Sequence, residues 1–88
     1  MSVRYEVTGY DRNIGRLAAF YDVPFRRLPS IRKVAGVSPL DDGLGAYPLD
    51  RDQVSAVARV LETRIDNQDL DYFLEAYDAE ADRNSPGA

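Results

Sequence analysis

Apolar and polar side chains alternate at the start of the chain. Val3, Tyr5 and Val7 fall on one face of an extended segment, and Arg4, Glu6 and Thr8 fall on the other. A period of two marks a strand with one face on a core and one toward water, so residues 2–8 are expected to form a half-buried strand. Gly9 to Gly15 contains two glycines, Asp11 and Asn13, which is turn chemistry. Residues 16–22 resume the alternation, with Leu17, Ala19 and Tyr21 set against Arg16, Ala18 and Phe20. The pair predicts a β-hairpin.

The period then changes. Leu28, Ile31, Val34 and Ala35 have the spacing of one helix face, with Pro29 suited to a first turn and Gly36 to a stop. From Val37 to Leu49 come Ser38-Pro39, Asp41-Asp42-Gly43, Gly45 and Pro48, which predict a long loop. Asp50 is a good N-cap, and Gln53 stands three residues on, as a capping box requires. Val54, Val57, Ala58, Leu61 and Ile65 continue as one stripe, the mark of an amphipathic helix. Arg64 falls in its expected last turn, and Asp66-Asn67-Gln68 ends it. Residues 70–77 alternate again, with Leu70, Tyr72, Leu74 and Ala76 opposite Asp71, Phe73, Glu75 and Tyr77. The polar stretch 79–88 reads as a frayed tail. The expected fold is α+β: a small antiparallel sheet in the order β-β-α-loop-α-β, helices on one face, a single domain over residues 1–78.

Composition narrows the chemistry. The chain has 88 residues, no histidine and no cysteine. One core is all such a length fills. Disulfides are absent, which fits a reducing compartment, and a cytoplasmic location is expected. No apolar run of membrane-spanning length occurs, nor a basic and apolar leader, so neither a membrane partner nor secretion is expected. Acid–base and nucleophilic catalysis lose their commonest side chains. A serine nucleophile would depend on Lys33, the single lysine, and no spacing pairs it with a serine. Transition metals lose their nitrogen and sulfur ligands. The acids Asp66, Asp69 and Asp71 do not follow a calcium-loop pattern, and no glycine pattern cradles phosphate. The reading is a non-enzymatic binding domain with no cofactor and no metal.

Charge is split along the chain. Residues 1–40 carry seven basic and three acidic side chains, and residues 41–88 four basic and twelve acidic, for a net charge of −4. The basic run Phe25 to Lys33 contains Arg26, Arg27, Arg32 and Lys33. The net charge opposes phosphate binding, so this run is expected to be the solvated face of a helix, and nucleic acid is a distant third reading. The acidic end is more informative. No basic side chain lies among Asp66, Asp69, Asp71, Glu75, Asp78, Glu80 and Asp82, and Phe73 and Tyr77 share a strand face with Asp71 and Glu75. Rings supply contact area and carboxylates supply steering toward a cationic protein. The candidate partner surface is therefore Asp69, Asp71, Phe73, Glu75 and Tyr77, with Asp41 and Asp42 from the loop.

Three segments carry a family resemblance: Arg4-Tyr5-Glu6-Val7-x-Gly9-Tyr10-Asp11, then Tyr47-Pro48-Leu49-x-x-x-Gln53, then Asp71-Tyr72-Phe73-Leu74-Glu75-Ala76. Together they resemble a family of small bacterial domains, actinobacterial in type and mostly of unassigned function. Several look like immunity proteins of polymorphic or contact-dependent toxin systems. The resemblance implies a cytoplasmic immunity protein that occludes the active site or substrate channel of a cognate toxin with a basic surface. It implies no catalytic residue. The other reading is a regulatory or scaffolding interaction domain. Oligomeric state stays open.

Overall fold

A computed structural model describes residues 3–79. Strands β1 (Val3–Asp11) and β2 (Leu17–Val23) form the hairpin. A 3-10 turn over Phe25–Arg27 leads into helix α1 (Leu28–Ala35). Strand β3 (Ala46–Leu49), helix α2 (Arg51–Val60) and strand β4 (Leu70–Asp78) follow. The four strands make one antiparallel sheet in the order β2-β1-β4-β3. The α+β architecture expected from the sequence is the observed one, with one strand added.

The two longest alternating segments, β1 and β4, occupy the centre and pair over their whole length, from Val3 opposite Asp78 to Asp11 opposite Leu70. Their odd and even sets respectively, Tyr5 and Val7 with Tyr72 and Leu74, form the sheet side of the core. Ile31 of α1 and Val54 and Val57 of α2 pack onto it. Val7, Ile31 and Val57 are fully buried and Leu74 nearly so. Side chains of this size contribute about 1.5–3 kcal/mol each when removed from water.

Both helix starts and one helix end follow the sequence reading. Pro29 lies in the first turn of α1, and Gly36 closes that helix in the left-handed region at φ 74°. Asp50 accepts from the Gln53 amide at 2.8 Å while Gln53 Oε1 accepts from the Asp50 amide at 2.7 Å, a complete capping box.

Four expectations need correction. β1 runs on to Asp11, past the glycine expected to open the turn. Simple alternation puts Leu17 on the face of Ala19 and Tyr21, but a bulge skips Ala18 and sets Leu17 opposite Tyr10, on the other face. The long loop is interrupted by β3, whose Tyr47 and Leu49 pair with Leu74 and Tyr72. Pro48, which has no amide hydrogen, is tolerated there because β3 is an edge.

The fourth correction concerns the end of α2. The helix stops at Val60, with Arg59 rather than Arg64 in its last turn. Glu62 takes a left-handed conformation at φ 53°. Its amide donates to Arg59 O and the Thr63 amide donates to Ala58 O, closing the helix in a Schellman turn without glycine. Leu61 is thus a half-buried cap residue, and Ile65 is buried from the following connection rather than from the helix. Apart from Ala79, the expected tail over 79–88 lies outside the described residues.

Candidate functional site

The sheet has a second face, turned away from the core cluster. The antiparallel register assembles it in lateral rows. Asp22, Glu6 and Glu75 lie side by side across β2, β1 and β4. The next row holds Phe20, Thr8, Phe73 and Pro48. The row beyond holds Leu17, Tyr10 and Asp71. Directly opposed side chains in such rows are about 4.5–5.5 Å apart at Cβ, so each row is a contact set.

Because β1 is flanked on both sides, its polar residues are covered by their neighbours. Glu6 is 6% exposed and Thr8 1%. Glu75 organises the middle of this face. Its Oε2 accepts from the Thr8 hydroxyl at 2.5 Å and from the Tyr10 hydroxyl at 2.7 Å. The Tyr10 ring meets Phe73 edge-on, with centroids 5.8 Å apart. The hydrogen bond to Glu75, then burial, raise the Tyr10 hydroxyl above its ordinary pKa, so it remains a donor at neutral pH. At the β2 side, Arg4 pairs with Asp22 at 3.2 Å and stands 5.0 Å over the Phe25 ring. Within this row Glu75 is compensated locally by the Thr8 and Tyr10 hydroxyls and Asp22 by Arg4.

The structure brings together Asp71, Phe73, Glu75 and Tyr77 on this face of β4, as their alternation requires. Phe73 and Tyr77 are half-buried rather than freely solvated. Asp71 has a counter-ion that is distant in sequence: Arg12 pairs with it at 3.0 Å and also reaches the carbonyls of Gln68 and Leu70. Asp69 is exposed in the preceding connection, where its amide donates to the Asn67 side chain. Asp41 and Asp42 lie in the loop that precedes β3. Their loop enters β3 at Ala46, opposite Glu75, whereas Asp69 precedes the other end of β4. Asp71 and Glu75 alone are separated by about 13 Å of strand. The basic run is partly engaged as well: Arg27 pairs with Glu62 at 3.0 Å, and Arg32 donates to Asp41 O.

The Thr8–Glu75–Tyr10 cluster has no signal in the sequence. Thr8 and Glu75 are 67 residues apart, and only strand register joins them. A groove along α2 is lined by Val54, Ala58, Ile65, Leu70 and Tyr72. The polar groups at its rim bond to one another, Arg51 to Gln68 and Arg12 to Asp71.

With this geometry in hand, comparison with known proteins places the chain. The model of a domain of unknown function, DUF7683, matches residues 4–75, and the chain belongs to that family. No curated protein and no solved structure matches it. The matched span runs from Arg4 to Glu75 and so contains the whole carboxylate row and the Thr8–Glu75–Tyr10 cluster.

Proposed function

We propose that this member of the family is a protein-binding domain that inhibits a basic partner, and that the partner is a bacterial toxin whose active site or substrate channel it covers. One observation carries the reading. The sheet face away from the core holds the row Asp22, Glu6 and Glu75 beside the row Phe20, Thr8, Phe73 and Pro48, and Phe20 is 56% exposed. Asp22 and Asp71 are exposed on this face, and a cationic surface laid against it gains electrostatic attraction and register from them. Aromatic anchors beside it supply the desolvated centre from which interface energy is mostly drawn. The net charge of −4 adds long-range steering toward a basic protein. The family resemblance seen in the sequence supports the toxin as the partner, and the side-chain inventory supports inhibition by occlusion rather than by chemistry.

The experiment is co-expression with the product of the neighbouring open reading frame. The expected result is a stable one-to-one complex and rescue of growth from that product's toxicity. A neighbouring product that is harmless and does not bind would sink this reading and leave a regulatory interaction domain.

A further inference from the structure

The loop between α1 and β3 exposes its aspartates and its leucines alike, while hydrogen bonds hold its backbone. Asp41 Oδ1 accepts from the Gly43 amide at 2.8 Å and from the Tyr47 hydroxyl at 2.6 Å. Asp42 Oδ1 accepts from the Leu44 amide at 2.9 Å, and Ser38 Oγ from the Leu40 amide at 3.2 Å. Arg32 of α1 donates to the Asp41 carbonyl at 3.2 Å. Gly43 is the buried point of the loop, in the left-handed region at φ 77°. A methyl group there would overlap the Arg32 guanidinium and stand 3.0 Å from the Tyr5 hydroxyl. The loop is therefore moored to α1 and β3. Yet Leu40 is 96% exposed and Leu44 57%.

The Asp41 carboxylate, bonded by the Gly43 amide and the Tyr47 hydroxyl, holds the loop, and the two leucines project from it. Apolar groups held out by a moored loop have already lost the freedom that binding would otherwise remove, which favours affinity. We infer that Leu40 and Leu44 are a preformed anchor pair that inserts into an apolar pocket with a basic rim on a protein partner. Asp41 and Asp42 stand between the leucines in sequence and specify the sign of the rim. They also disfavour the two other occupants. An anionic membrane surface repels them, and a second copy of this loop would meet them with the same charge.

This inference rests on the reading of the chain as an inhibitor of a basic protein, and adds a contact outside the β4 strand face. The test uses the full chain and L40S/L44S. Melting of the two is expected to coincide, because both side chains are exposed. Each is then titrated into the purified product of the neighbouring gene. The inference expects L40S/L44S to bind at least about tenfold more weakly, mainly through faster dissociation. If that product binds parent and L40S/L44S alike, the loop inference falls and the proposed function stands. If it binds neither, the proposed function falls and the loop is decided by two partner-free measurements. Amide order parameters near about 0.85 over residues 38–45 in a monomer support a preformed element, and values below about 0.6 overturn it. A dimer by sedimentation that L40S/L44S abolishes also overturns it, by assigning the leucines to a second copy.

Discussion

Across the seam between β1 and β4, the Thr8 hydroxyl donates to Glu75 Oε2 at 2.5 Å. Thr8 is 1% exposed, so water cannot replace this partner. Thr8→Val keeps the shape and removes the donor. It is expected to cost about 1–3 kcal/mol, since the acceptor is a carboxylate. Urea titration checks this. A loss under about 0.5 kcal/mol would mean that Glu75 is held by Tyr10 alone.

Leu74 and Leu61 stand as equals in the apolar pattern of the chain, and the structure separates them. Leu74 is 1% exposed in the central seam, whereas Leu61 is a half-buried cap residue. Leu74→Ala is expected to cost about 2–5 kcal/mol, enough to unfold much of the population of so small a domain. Leu61→Ala should cost less than half as much. Equal losses in denaturant would place Leu61 in the core after all.

Glu62 closes α2 at φ 53°. Any side chain with a Cβ pays about 1 kcal/mol in that region, and glycine does not. Glu62→Gly and Glu62→Ala both lose the exposed ion pair with Arg27, so their comparison isolates the backbone. The glycine variant should be more stable by about 1 kcal/mol. Alanine matching or exceeding glycine would contradict the left-handed cap.

The Tyr47 hydroxyl, followed by the Gly43 amide, holds Asp41 below its usual pKa of 3.8, and Asp41 in turn raises Tyr47 above 10.0. The signs follow from linkage. A depressed carboxyl adds stability above the unfolded value that is lost as pH falls through the folded value. A raised phenol adds stability below 10.0 that is lost as pH rises through the folded value. Both groups face water, so the effect on stability is small. The titration itself is the readout. By carboxyl carbon NMR, Asp41 should move up toward 3.8 in Tyr47→Phe. An unmoved midpoint would show that this hydrogen bond does not form in solution.

Asp71 is exposed and its ion pair with Arg12 lies at the surface, where such pairs add little stability, so its reversal should leave the fold intact. Asp71→Lys is expected to slow association with a basic toxin and flatten its salt dependence, while Phe73→Ala should mainly speed dissociation. Thermal melting of Phe73→Ala comes first, because Phe73 packs against Tyr10. Folded variants with the parent's rate constants would move the binding surface off this strand.

The elements that rest on local rules are legible in the chain itself. The alternation of β1, β2 and β4, the capping box of Asp50 and Gln53, and the stop at Gly36 each depend on residues a few positions apart. Features without a local signal are not legible in this way. Nothing in the chain marks Glu62 as a left-handed cap, so the apolar stripe carries the expected helix past Val60 to Ile65. Ala46–Leu49 is too short, and holds Pro48, to announce a strand, and β4 makes it one by offering an edge.

The site divides in the same way. Periodicity alone puts Asp71, Phe73, Glu75 and Tyr77 on one face, because a strand's side chains alternate whatever it packs against. Strand order and register decide the rest. Placing β1 between β2 and β4 buries Glu6 and Thr8 among their neighbours. The same register brings Glu75 to Thr8, gives Asp71 its Arg12, and leaves Asp41 and Asp42 with the moored loop. Most of these contacts join residues far apart in the chain. The order of residues supplies the side chains and, away from the bulge at Ala18, their faces; which of them meet depends on the fold, because pairing across strands is set by the packing of the whole sheet.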